Sequence, residues 1–91
     1  MTAKKMLIGS LSNDLLRVAN LSYRGSNRAA ERFLKEAQHW AVKLEEYQLE
    51  DYLKKIVDEV LNLSEKKLNQ KKAESLLMQS ILLQNYSLKI K

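Results

Sequence analysis

The stretch RGSNRAAERFLKEAQHWAVKL, residues 24–44, decides the fold class. Its apolar residues Ala30, Phe33, Leu34, Ala37, Trp40, Ala41 and Leu44 recur at intervals of three and four, the spacing of one face of an α-helix. Arg28, Glu31, Arg32, Lys35, Glu36 and Lys43 occupy the remaining surface. Arg24-Gly25-Ser26-Asn27 punctuates the chain just ahead of it. Gly25 suits the left-handed conformation that closes a preceding helix, and Ser26 suits the cap of the following one.

Working outward toward the N-terminus, Leu11, Leu15, Val18 and Ser22, with Leu16 beside them, predict a first helix over 11–23. Ser10 or Ser12 would cap it, with Asp14 in its first turn. Residues 1–10 read as a flexible N-terminal arm or, over 4–9, as an earlier turn of the same helix interrupted by Gly9.

Toward the C-terminus, Leu44 is followed by Leu49, an interval of five that breaks the apolar phase and predicts a tight turn at Tyr47-Gln48. Leu49, Tyr52, Leu53, Ile56, Val57, Val60 and Leu61 resume the stripe in a third helix. Asn62-Leu63-Ser64 ends it, with Ser64 as cap and Glu65 in the first turn of a fourth helix. That helix opens polar, with Lys66, Lys67, Lys71 and Lys72 around Leu68. It then turns apolar through Leu76, Leu77, Met78, Ile81, Leu82, Leu83, Tyr86, Leu88 and Ile90. These residues cover nearly its whole circumference, and a helix apolar all round needs burial on more than one side. It is expected either at the centre of the bundle or docked by its outer face on another molecule.

With no proline in 91 residues and few β-branched residues, helix is the only element with support. The expectation is an all-α, small antiparallel helical bundle in one domain over 1–91, with three long helices plus a shorter N-terminal one. The expected core is Leu15, Val18, Phe33, Leu34, Ala37, Ala41, Leu44, Leu53, Ile56, Val57, Val60, Leu76, Leu77, Ile81 and Leu88.

Composition excludes much chemistry. The absence of cysteine removes disulfides and thiolate metal sites. His39 is the sole histidine, and no nucleophile or paired carboxylate is spaced to serve it. The carboxylates Glu45, Glu46, Glu50, Asp51, Asp58 and Glu59 fall opposite the apolar stripe, as on a solvated helix face. A glycine-rich phosphate loop and a nucleophile elbow are both missing. No catalytic residue, metal, cofactor or small-molecule substrate is therefore expected, and the chain reads as a non-enzyme. No segment has the roughly 18–20 apolar residues of a membrane span, and a cytoplasmic location is the default expectation.

Charge is unevenly spread. The net charge is +5 and the pI about 9.5. Residues 1–35 carry +5, residues 36–61 carry −4 and residues 62–91 carry +4. Arg24, Arg28 and Arg32 recur every four residues, and Lys35 continues their side, so their cationic groups can line one helix strip. Lys66, Lys67, Lys71 and Lys72 form a second cluster, placed where a helix dipole makes cations unfavourable. Tyr23, beside Arg24 and Arg28, is the only candidate platform for base stacking.

Two functions follow from these features. The first is a non-enzymatic protein-interaction module, an adaptor or regulatory subunit that self-associates or binds another protein. Its interface would use Leu82, Leu83, Tyr86 and Ile90 of the fourth helix, with Trp40 as a further anchor. The second is a small basic protein that holds the phosphate backbone of nucleic acid through Arg24, Arg28, Arg32 and Lys35, aided by Lys66, Lys67, Lys71 and Lys72. Spatial convergence of the two basic clusters would favour the second.

Overall fold

The computed structural model describes residues 3–89, which form an all-α bundle. Its helices are α1 (Ala3–Tyr23), α2 (Asn27–Leu44), α3 (Asp51–Leu61) and α4 (Gln70–Lys89), with a single 3-10 turn at Glu65–Lys67 before α4. Short connections make successive helices antiparallel, and α1 packs against both α2 and α4.

The bundle expected from the sequence is present, but its centre is α1. Two adjacent heptad-spaced seams run along this helix. Ile8, Ser12, Leu15, Ala19 and Ser22 form one, while Leu7, Leu11, Asp14 and Val18 form the other, and all nine are buried. The first seam meets α4, where Ser12 Oγ donates to the Ser80 carbonyl at 2.7 Å. The second meets α2, where Trp40 Nε1 donates to Asp14 Oδ2 at 2.8 Å. Each partner answers with the same alternation of four and three. Ala30, Leu34, Ala37, Ala41 and Leu44 do so on α2, and Ala73, Leu76, Ser80 and Leu83 on α4. Such spacing is what near-antiparallel packing of straight helices requires.

Several expectations need correction. The first helix begins at Ala3 rather than Leu11 and is the longest at 21 residues, so residues 3–10 are not an arm. Leu7 and Ile8 are buried and hold this early turn down. Gly9 does not interrupt it, and a Cβ there would meet Ser87 Oγ of α4 at 3.7 Å, an ordinary packing distance. Ser10, Ser12 and Asp14 consequently lie inside the helix. The shortest helix is α3, at 11 residues. Ser64 does not open α4. It precedes only the 3-10 turn, and extended backbone at Leu68 follows. Asn69 caps α4, accepting from the Lys72 backbone N–H at 2.7 Å.

The turn between α1 and α2 has the predicted chemistry. Gly25 sits at φ +82°, Gly25 N–H bonds the Ser22 carbonyl and Ser26 N–H bonds the Leu21 carbonyl at 2.8 Å. This is the Schellman closure, in which a left-handed residue brings two amides back onto orphan carbonyls. Ser26 follows at the cap position of α2, but its side chain makes no capping bond. The phase slip after Leu44 is a true break, with α3 starting at Asp51. Gln38 Nε2 ties the far end of α3 to α2 by donating to the Val60 and Leu63 carbonyls at 3.0 and 2.9 Å.

The core differs from expectation mainly on α4. Leu15, Val18, Leu34, Ala37, Ala41, Leu44, Leu53, Ile56, Val57, Val60 and Leu76 are buried, and Phe33 packs half-buried against them. Leu77, Ile81 and Leu88 are exposed instead. In the seam the small residues Ala73 and Ser80 alternate with Leu76 and Leu83, and positions 77, 81 and 88 lie off it.

The two glycines should respond oppositely to alanine. Gly9→Ala should raise stability by about 0.5–1 kcal/mol, since a helix-interior glycine is entropically costly. Gly25→Ala should lower it by about 1–2 kcal/mol, the cost of a Cβ in the left-handed region. Urea denaturation followed by circular dichroism checks both.

Candidate functional site

Two turns of the chain meet at one end of the bundle. Asn27 Nδ2 donates to the Leu68 carbonyl at 3.3 Å, and Gln70 Nε2 donates to the Tyr23 carbonyl at 3.4 Å. These bonds hold the α1–α2 turn against the segment between the 3-10 turn and α4. Both basic clusters ride on these elements. Arg24 lies in the first turn, one residue beyond α1, so it is not on the α2 strip. Arg28, Arg32 and Lys35 follow on the exposed side of α2, Lys66 and Lys67 are in the 3-10 turn, and Lys71 and Lys72 are in the first turn of α4. All eight are exposed except the half-buried Lys72. The eight cations share segments 24–35 and 64–75 with only Glu31, Glu65 and Glu74.

Electrostatic contact between the elements is direct. Lys35 Nζ stands 3.5 Å from Glu31 Oε1. Glu31 hydrogen-bonds and repels Glu65, which raises the Glu65 pKa above its ordinary value, while Arg28 and Lys35 pull it back down. Arg28 and Lys35 of α2 are thus neighbours of the 3-10 turn that carries Lys66 and Lys67. Arg28 and Arg32 border one surface hollow of about 500 Å³, and Lys71 and Lys72 border another of about 270 Å³. A third, of about 350 Å³, lies between the two turns beside Tyr23, Arg24 and Asn69.

The opposite end carries both signs of charge: Lys4 and Lys5 at the start of α1, Lys54 and Lys55 early in α3 and Lys89 at the end of α4 lie there with four acids. Glu45, Glu46, Glu50 and Asp51 gather in and around the α2–α3 connection, all exposed. Lys4 crosses to them, with Nζ donating to the Gln48 carbonyl at 3.0 Å and to Tyr86 Oη at 3.2 Å, and Tyr86 Oη donates to Glu50 Oε1 at 3.0 Å. Outside segments 24–35 and 64–75 the Lys and Arg residues balance the Asp and Glu residues, so the net positive charge sits in those two segments.

Most of the expected docking residues are spent inside the fold. Leu83 is buried at 1% exposure and belongs to the α1–α4 seam. Tyr86 is half-buried and bonded to Lys4 and Glu50, with an edge contact to Tyr52. Trp40 is half-buried, its indole committed to Asp14 and its ring flanked by His39 and the Lys43 ammonium. Leu82 is exposed as expected, and Ile90 lies outside the described residues. The apolar residues that do face outward on α4 are Leu77, Met78, Ile81, Leu82 and Leu88.

Asp14 is the one buried charged residue among the described residues, and its sequence position gave a signal that first-turn reasoning missed. It stands three residues after Leu11 and four before Val18, in phase with the apolar stripe. Burial raises its pKa above 3.8, and nearby Glu36 adds to the rise. The Trp40 N–H and Arg17, the latter at 3.4 Å, act the other way. Among the described residues no group of three or more His, Cys, Asp or Glu can hold a metal ion, and no helix is long and apolar enough to cross a membrane.

No protein-family model matches this chain, and no curated protein or solved structure shows significant similarity to it.

Asp14 should be read by two substitutions. Asp14→Ala removes the acceptor of the part-buried Trp40 N–H and should cost about 1–3 kcal/mol. Asp14→Asn keeps an acceptor for Trp40 and offers Glu36 a donor, so it should cost much less. The folded carboxyl holds its proton more tightly than the unfolded one, so the stability it contributes is full below pH 3.8 and is lost as pH rises through its raised folded value. Denaturation midpoints across this acid range should therefore fall less steeply with rising pH in Asp14→Asn than in the parent.

Proposed function

We propose that this chain is a small polyanion-binding protein whose basic end takes the phosphate backbone of nucleic acid. The observation that carries the reading is the meeting of the α1–α2 turn with the segment leading into α4. It joins two clusters that are about forty residues apart in sequence. Arg24, Arg28 and Arg32 supply planar forks suited to phosphate oxygens, and Lys35, Lys66, Lys67, Lys71 and Lys72 supply point charges around them. Phosphates spaced along a strand can meet several of these cations at once, and each neutralised phosphate releases condensed counterions. On this reading the protein is a binding module that carries out no reaction.

A second reading has its own observation. Leu77, Met78, Ile81 and Leu82 make a contiguous exposed apolar stripe over the middle of α4. The occupant we favour is a second copy, because an antiparallel crossing of two α4 helices lays this stripe on itself about a two-fold axis. It also keeps the two strongly basic ends apart. Met78→Glu with Leu82→Glu should then leave a folded monomer by sedimentation. A parent chain that already sediments as a monomer at high concentration overturns the idea.

For the leading reading, anisotropy of a labelled oligonucleotide should show binding that weakens by roughly 100-fold between about 50 and 200 mM salt if four phosphates are engaged. The double change Arg28→Glu and Arg32→Glu should abolish it with folding intact, since both residues are exposed. Affinity that is indifferent to salt and to this double change would refute the assignment.

A further inference from the structure

A surface groove of about 360 Å³ runs between the last turn of α1 and the first turns of α4. Ala19, Ala73 and Leu77 give it an apolar floor, while Tyr23 and Arg24 stand at its basic end with Asn20 and Glu74 along the sides. The floor is open because Ala19 and Ala73 are the small residues through which the two helices approach. Tyr23 is 55% exposed, unusually free for an aromatic ring on a packed helix. Its only bond across to α4 runs through its backbone carbonyl, which accepts from Gln70. Tyr23 and Arg24 also line the hollow on the other side, between the two turns. An uncovered ring thus stands between two depressions, with a guanidinium bordering both.

We infer that this groove seats one unpaired base of a single-stranded nucleic acid, stacked on Tyr23, with Arg24 holding the adjoining phosphate. The inference rests on the phosphate-backbone reading and narrows it to single strands. A flat apolar floor beside an aromatic face suits a nucleobase, whereas a sugar-phosphate chain gains nothing from Ala19, Ala73 and Leu77. Bases inside a duplex are already stacked and cannot reach the ring, so Tyr23 adds affinity only where a base is free to turn out. One platform recognises the flat face that all bases share, and strong sequence preference is not expected.

The test compares three labelled probes of equal phosphate number at one salt concentration: an oligothymidylate, its abasic analogue and a duplex. The oligothymidylate should bind at least about fivefold more tightly than the abasic strand, the lower end of what one base–aromatic stack gives. Tyr23→Ala should erase that difference, and Tyr23→Phe should keep most of it. Circular dichroism verifies that the exposed substitution leaves the bundle folded. Equal binding of base-bearing and abasic strands, or no effect of Tyr23→Ala, overturns the stacking seat and leaves the phosphate reading standing. Failure of all three probes to bind overturns the phosphate reading, and the stacking seat falls with it.

Discussion

Everything in this fold depends on α1 burying two seams at once. A helix that packs on one side needs a single stripe, and the remainder of its surface is free to be polar. α1 packs on α2 and α4 together, so nine of its residues are buried. Three of them, Ser12, Asp14 and Ser22, are polar, and the Ser22 hydroxyl is buried without a hydrogen-bond partner. Ser12 finds the Ser80 carbonyl and Asp14 finds the Trp40 indole. These two bonds fix the rotation of α1 about its axis, since turning it by one residue would break both and exchange the seams. Register along α4 then places Tyr23 beside Gln70, which carries the first turn of α4 to the α1–α2 turn.

The sequence was legible where a helix has one face to hide. α2 and α3 show that pattern, and their apolar stripes predict the buried residues well. Gly25 was equally legible, because few residues other than glycine close a helix in the left-handed region. α1 was not, since two adjoining seams spread burial over half the circumference and dilute any three-and-four spacing. Serines, a glycine and an aspartate inside those seams look like caps and punctuation until the neighbouring helix is known. The same blindness affected α4. Counting large apolar residues suggested an all-round buried helix, but the seam runs through Ala73, Leu76, Ser80 and Leu83 and leaves Met78, Ile81 and Leu82 outside. Leu83 and Tyr86 could not be assigned to core or surface without knowing that rotation.

The candidate site was half legible. Both basic clusters could be read directly, and all eight residues stand at the surface. Their meeting could not be read, because it depends on α1 and α4 being antiparallel with their ends level. Bonds through Asn27 and Gln70 secure that meeting, and neither residue carries a sequence pattern that distinguishes it from ordinary helix surface. Placing Arg24 was beyond the four-residue spacing as well. The Schellman turn lifts it off the α2 strip and sets it between the two hollows, facing a different neighbourhood from Arg28 and Arg32.

The charge arrangement carries a further implication about what the fold itself demands. Four lysines lie around the start of α4, where the exposed amides of a helix already present partial positive charge and added cations are mildly destabilising. Asn69 offsets part of this by capping Lys72, and Glu65 with Glu31 offers local negative charge that is itself compromised by mutual repulsion. None of the four lysines forms part of a buried seam, so packing does not require them. Acidic residues would suit that helix start better. A basic end assembled against the local electrostatic preference, on elements tied together by long-range hydrogen bonds, fits a surface shaped by a polyanionic ligand better than one shaped by the stability of the bundle.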